Sequence, residues 1–67
     1  MARADTRLRL LLTAEKLFAE RGVEAVSLRE INIAAGQKNS GASHYYFGSK
    51  DGLIEAIFRY RHAGTYE

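Results

Sequence analysis

The segment GQKNSGASHYYFGSK, residues 36–50, concentrates the side chains that could do chemistry in this chain. No Asp or Glu lies between Glu30 and Asp51, whereas Lys38, His44 and Lys50 all fall inside that window. A surface that faces a polyanion needs this balance, because a carboxylate there would repel phosphate. From charge alone, a solvated polar loop reads the same way. Lys50 sharpens the choice. It stands at the first position of a helix capped by Ser49, where the positive end of the helix dipole disfavours a cation by about 0.3–1 kcal/mol. Asp51 offsets part of that cost. An ammonium, a capping hydroxyl and free backbone N–H groups at one helix start make a phosphate site; the competing account is an ordinary exposed lysine.

The run His44-Tyr45-Tyr46-Phe47 cannot point one way on a helix, since neighbouring side chains diverge by about 100°. Phe47 is expected in the core and Tyr46 at its edge, leaving His44 and Tyr45 nearer the surface. No carboxylate or nucleophile stands in a fixed relation to His44 or Tyr45, and four short helices leave little room for a substrate pocket, so an enzyme is the weakest reading. The chain has no cysteine, and His44 and His62 lack metal-ligand companions, so neither a metal nor a cofactor is expected.

The elements that must position these residues are legible from spacing. Leu10, Leu11, Ala14, Leu17 and Phe18 recur at three- and four-residue intervals, which marks a helix over 5–21, with Asp5 or Thr6 as its cap and Arg21-Gly22 as its stop. Ser27 and Glu30 have the spacing of a capping box, opening a short helix over 28–35. Gly36 ends it. A third helix is expected over 40–47 with Asn39 as cap, although Gly41 in its first turn would cost about 1 kcal/mol of propensity. Gly48 closes it, and Ser49 caps a fourth helix over 50–63 that fades near Gly64. Leu53, Ile54, Ile57 and Phe58 give that helix an apolar stripe, and Glu55 and Arg59 form a favourable pair.

The fold class is therefore all-α, with four helices joined by tight turns. Sixty-seven residues without proline, 46% hydrophobic and 27% charged, make one small domain of marginal stability. No apolar run approaches the roughly 18 residues of a membrane span, and LRLLLTA is interrupted too early for a signal peptide. A cytoplasmic location is expected. Two short helices separated by a glycine turn, the second polar on one side, suggest a helix-turn-helix.

At this point the chain resembles the amino-terminal DNA-binding domain of the TetR family of bacterial transcriptional regulators, a homeodomain-like helix-turn-helix fold. LFAERGVEAVSLREI matches the end of that family's first helix, its turn and the start of its second; HYYFGSKDGLIEAI matches the aromatic end of the recognition helix, the Gly-Ser-Lys turn and the fourth helix. The likeness spans roughly residues 8–60 in order and spacing. Two departures stand out. The interval from Gly36 to Phe47 is one residue longer than usual, resembling a subset with a GQ-basic-N turn. Asn32 occupies a position usually held by alanine and Ser43 one usually apolar, so packing between the two helices is expected to be looser or hydrogen-bonded.

The resemblance implies that the third helix enters a major groove amino end first. Gln37, Lys38, Asn39, Ser40 and Ser43 then become candidates for base contact, since Gln and Asn can pair with adenine, Lys can donate to guanine and Ser can contact either. Gly41 would permit close backbone approach; a polar turn with an ordinary cap is the alternative. It also implies phosphate contacts by Ser27, Arg29, His44, Tyr45 and Lys50. For Ser27 the cap alone is a sufficient explanation, and for Tyr45 a packed ring with a surface hydroxyl competes. Arg3, Arg7 and Arg9 at the amino end could follow an adjacent phosphate run or form a disordered arm.

The expected function is sequence-specific binding of double-stranded DNA as a transcriptional regulator, in the family's manner a repressor. The expected mechanism is a homodimer over a near-palindromic operator, released by a small-molecule inducer. Dimer formation and inducer binding would belong to a carboxy-terminal domain that these residues do not include. A small helical protein-interaction module is the alternative, using an exposed patch of Leu8, Leu12 and Tyr60. Salt separates the two, because each phosphate contact steepens the log–log dependence of affinity on salt by about 0.9.

Overall fold

The computed structural model describes residues 2–38 and 41–63. Its elements are α1 (Ala2–Arg21), a 3-10 turn (Val23–Ala25), α2 (Leu28–Ala34), α3 (Ala42–Phe47) and α4 (Lys50–His62). The long outer helices α1 and α4 pack on each other, and the short pair α2–α3 is wedged against them, with α1 touching every other helix. Leu10, Ala14, Val26, Ile31, Ala35, Ala42 and Leu53 form the buried centre, and Leu17, Phe18, Tyr46, Phe47 and Ile57 pack around it. All four helices thus contribute to a single core, joined by Val26 ahead of α2 and Ala35 at its end.

Local chemistry ends the helices where the sequence says it should. Gly22 adopts φ +91° and donates its N–H to the Phe18 carbonyl at 2.8 Å, closing α1. The capping box of α2 is complete: Glu30 N–H donates to Ser27 Oγ at 3.1 Å, and Ser27 N–H donates to Glu30 Oε1 at 3.0 Å. Arg21 reaches across from α1, donating to Glu30 Oε2 and to the Ala25 carbonyl, each at 3.0 Å. At the far end of α2, Gly36 N–H donates to the Ile33 carbonyl and Gln37 N–H to the Asn32 carbonyl, both at 3.0 Å. With Gly36 at φ +77° this is the Schellman closure, in which a left-handed residue lets two orphan carbonyls be satisfied.

Three expectations need correction. Helix α1 begins at Ala2 rather than near residue 5, since Ala2, Arg3 and Ala4 include no breaker; Asp5 sits in its first turn, where a carboxylate suits the dipole. Helix α3 begins at Ala42, two residues later than expected, and its cap is Gly41 at φ −95°, with no side-chain cap bond of its own. Gly41 therefore escapes the interior propensity cost, because glycine is acceptable at a cap. The expected cap Asn39, and Ser40, lie outside the described residues, as does Gly64. Finally, Phe58 is 60% exposed rather than part of the core stripe of α4. It follows Leu53 by five residues, about 140° around the helix, whereas Ile57 follows by about 40°. The Phe58 ring instead stacks on His62, with centroids 3.9 Å apart.

Helix α4 is otherwise as expected. Ser49 Oγ accepts from Gly52 N–H at 3.0 Å, and Arg59 donates to Glu55 at 2.8 Å. Arg61 grips the Glu15 carboxylate with two N–H groups, tying α4 to α1. Among the described residues no helix is long and apolar enough to cross a membrane.

Candidate nucleic-acid interface

The α2–turn–α3 unit presents the segment that the sequence singles out. Ala42 and Ser43 turn inward, so among the side chains of α3 it is His44 and Tyr45 that face outward, Tyr45 with 70% of its surface exposed. The phenol of Tyr45 is braced edge-on by the Tyr46 ring, with centroids 5.1 Å apart. Tyr46 is half-buried at the edge of the core, as expected, and Phe47, expected in the core itself, is likewise half-buried against it, because the short α3 ends there. Of the turn, Lys38 is exposed, Gln37 is half-buried, Gly41 is exposed, and Asn39 and Ser40 lie outside the described residues.

Ser43 is not where a base contact would be. It is fully buried, and both its backbone N–H and its hydroxyl donate to Asn32 Oδ1, at 2.9 and 2.6 Å. The physical reason is helix phase: a start at Ala42 places Ser43 on the side of α3 that meets α2. Of the two open alternatives for packing around Asn32, the hydrogen-bonded one is realised.

The phosphate candidates occupy two helix starts and the outer side of α3. Ser27 and Arg29 are exposed at the start of α2, and Lys50 is half-buried at the first position of α4. Ser27 spends an Oγ lone pair on its cap, which leaves its hydroxyl proton free to donate outward. His44, Tyr45 and Lys50 stand within seven residues around the Gly48 turn, where Gly48 at φ +80° returns its N–H to the His44 carbonyl at 2.8 Å. That turn holds the end of α3 and the start of α4 together. A polar, acid-free surface with helix N–H groups behind it can accept phosphate oxygens and base edges.

Two features escaped the sequence reading. Arg7 lies in helix α1, as the helix expected over 5–21 implies, but its guanidinium stands 5.0 Å from the centre of the Phe47 ring, a contact between helices that spacing along the chain does not show. Arg7 borders an open cleft of about 230 Å³ shared with Glu55 and Arg59, smaller than the usual small-molecule site. Asn32, noticed only as a departure, turns out to hold the unit together; its signal was a polar residue in the buried phase of a helix. Leu8, Leu12 and Tyr60 are each exposed by roughly two-fifths.

A helix-turn-helix wedged between two longer helices, with an acid-free outer face, defines the class: a compact helical DNA-binding domain. The model of the family described as "Bacterial regulatory proteins, tetR family" matches residues 10–57. The chain belongs to that family and comprises its helix-turn-helix DNA-binding domain. It is 40% identical over 57 residues to the HTH-type transcriptional repressor KstR2 of Rhodococcus jostii, an overlap of 85% of this chain and 28% of that protein. It is also 40% identical over 63 residues to the HTH-type transcriptional repressor Rv3405c of Mycobacterium tuberculosis, covering 94% of this chain and 32% of that protein. The matched length is thus under a third of either relative. No solved structure gives a significant match.

Proposed function

We propose that this domain is the DNA-reading head of a transcriptional repressor, selecting a specific double-stranded sequence. The observation that carries the reading is the exposed, acid-free surface of the turn and α3, flanked by Lys50 at one helix start and by Ser27 and Arg29 at another. Gln37, Lys38, Asn39, Ser40 and Gly41 supply base readout at the amino end of α3, with Ser43 withdrawn from that set. Ser27, Arg29, His44, Tyr45 and Lys50 hold phosphates and so set register and orientation. The repressors to which the chain is similar are consistent with this role. In the full-length protein two copies place their α3 helices in successive major grooves of a near-palindromic operator, about 34–36 Å apart. Homodimer formation and release by a small-molecule inducer fall to residues outside these 67, and the site of action is the cytoplasm.

A single head should bind weakly, since two linked heads gain avidity without new contacts. The test is to fuse the domain to an unrelated dimeriser and select from random duplexes. A recovered consensus with two half-sites is expected; recovery of no sequence preference would sink the specific-repressor reading.

A further inference from the structure

Helix α3 has only six residues and starts at a glycine, which has no side chain to cap it. The first N–H groups of any helix lack intrahelical partners and must find them elsewhere. One partner here comes from the preceding helix. Asn32 Oδ1 receives the Ser43 N–H at 2.9 Å and the Ser43 hydroxyl at 2.6 Å, while the Asn32 carbonyl receives the Gln37 N–H at 3.0 Å. One residue thus fastens the chain where it leaves α2 and where it enters α3. Asn32 and Ser43 are 2% and 0% exposed, so water does not compete for the two Ser43 bonds.

We infer that Asn32 is the positioning residue for sequence readout: it caps α3 from α2 and fixes the register of the lengthened turn without touching DNA. The inference rests on the DNA-reading function above. Slippage of α3 by one residue would rotate its side chains by about 100°. It would carry His44 and Tyr45 off the outer face and take both Ser43 donors away from their acceptor in a site where unmade hydrogen bonds are costly. Only residues 38–42 separate the two fastened points, Gln37 and Ser43, so the span that reads bases is held at both ends. This accounts for the side chain at a position that helix packing would otherwise leave to a small apolar group.

Two measurements test it. In the free wild-type chain, amide hydrogen exchange at Ser43 should be slowed more than about tenfold relative to an unprotected amide, although first-turn amides ordinarily exchange freely. A smaller slowing overturns the cap. The second measurement is the ratio of affinities for the duplex recovered by selection and a scrambled duplex of the same composition. Asn32→Ala should lower that ratio by about tenfold or more, the discrimination supplied by one good base contact, while affinity for the scrambled duplex falls by less and the salt slope, set by cations outside α3 such as Arg29 and Lys50, stays unchanged per folded molecule. An unchanged ratio, or equal losses on both duplexes, overturns the positioning role. Where Asn32→Ala does not fold, Ser43→Ala decides in its place: a fall in the ratio of about threefold or more supports the role and a smaller one refutes it. If the wild type selects no duplex, the DNA reading fails, whereas the exchange result still decides whether Asn32 holds α3.

Discussion

Replacing Gly52 by alanine should destabilise the domain, although helix propensity alone argues the reverse. Gly52 lies in the first turn of α4, and an interior Gly→Ala change ordinarily gains up to about 1 kcal/mol. Here a Cβ would stand 2.1 Å from the Phe47 carbonyl oxygen and 3.3 Å from its carbon. Real Cβ contacts do not fall below 3.0 Å, so backbone must retreat by at least 0.9 Å. The carbonyl cannot do so freely. It belongs to the last residue of α3, whose ring packs on the core, and the left-handed Gly48 turn couples it to the Ser49 cap. Overpacking costs about 1–3 kcal/mol, and a disturbed Ser49 cap adds about 1 kcal/mol. Less the propensity gain, about 2 kcal/mol of destabilisation remains, which for a domain of this size lowers Tm by about 8–16 °C. Thermal unfolding followed by far-ultraviolet circular dichroism measures it. An unchanged or raised Tm in Gly52→Ala would refute the close approach of α3 and α4.

Other outcomes follow from burial and charge. Leu53→Ala removes a fully buried side chain and should cost about 2–5 kcal/mol, whereas Phe58→Ala, at a site 60% exposed, should cost less than about 1 kcal/mol; comparable losses in urea titration would contradict the phase assigned to α4. The Glu30 carboxyl is held below its ordinary 4.5 by the Ser27 backbone N–H and by Arg21, and Glu15 is held below 4.5 by its hydrogen bonds from Arg61. Because these folded-state values are depressed, the stabilisation is present above pH 4.5 and fades as pH drops through the lower folded values. A Glu15→Gln/Glu30→Gln double variant should show a flatter acid limb of Tm against pH than the wild type; identical limbs would exclude both carboxylates. Lys50→Ala should weaken binding to every duplex alike and reduce the log–log salt slope by about 0.9, and a loss confined to one sequence would move Lys50 from phosphate to base contact.

The four helices and most of their ends are legible along the chain, because those ends are local chemistry. Gly22, Gly36 and Gly48 all adopt the left-handed turns that stop helices, and the Ser27–Glu30 box and the Ser49 cap are satisfied within three residues. The acid-free segment likewise needed no structure, since charge along a chain is visible without knowing which way a side chain points. The places where one helix meets another are settled by packing between distant parts of the chain. Ser43 reads as an exposed polar residue until α2 is laid beside it, and Asn32 reads as a flaw until its partner eleven residues away is seen. Gly52 looks like a weak helix residue until the Phe47 carbonyl is found against it. Phe58 completes an apolar stripe in sequence, yet α4 meets its neighbours at a phase set by Leu53 and Ile57. In the opening segment, the charge was legible in advance; which of its residues face outward depended on a hydrogen bond from another helix, which no local pattern encodes.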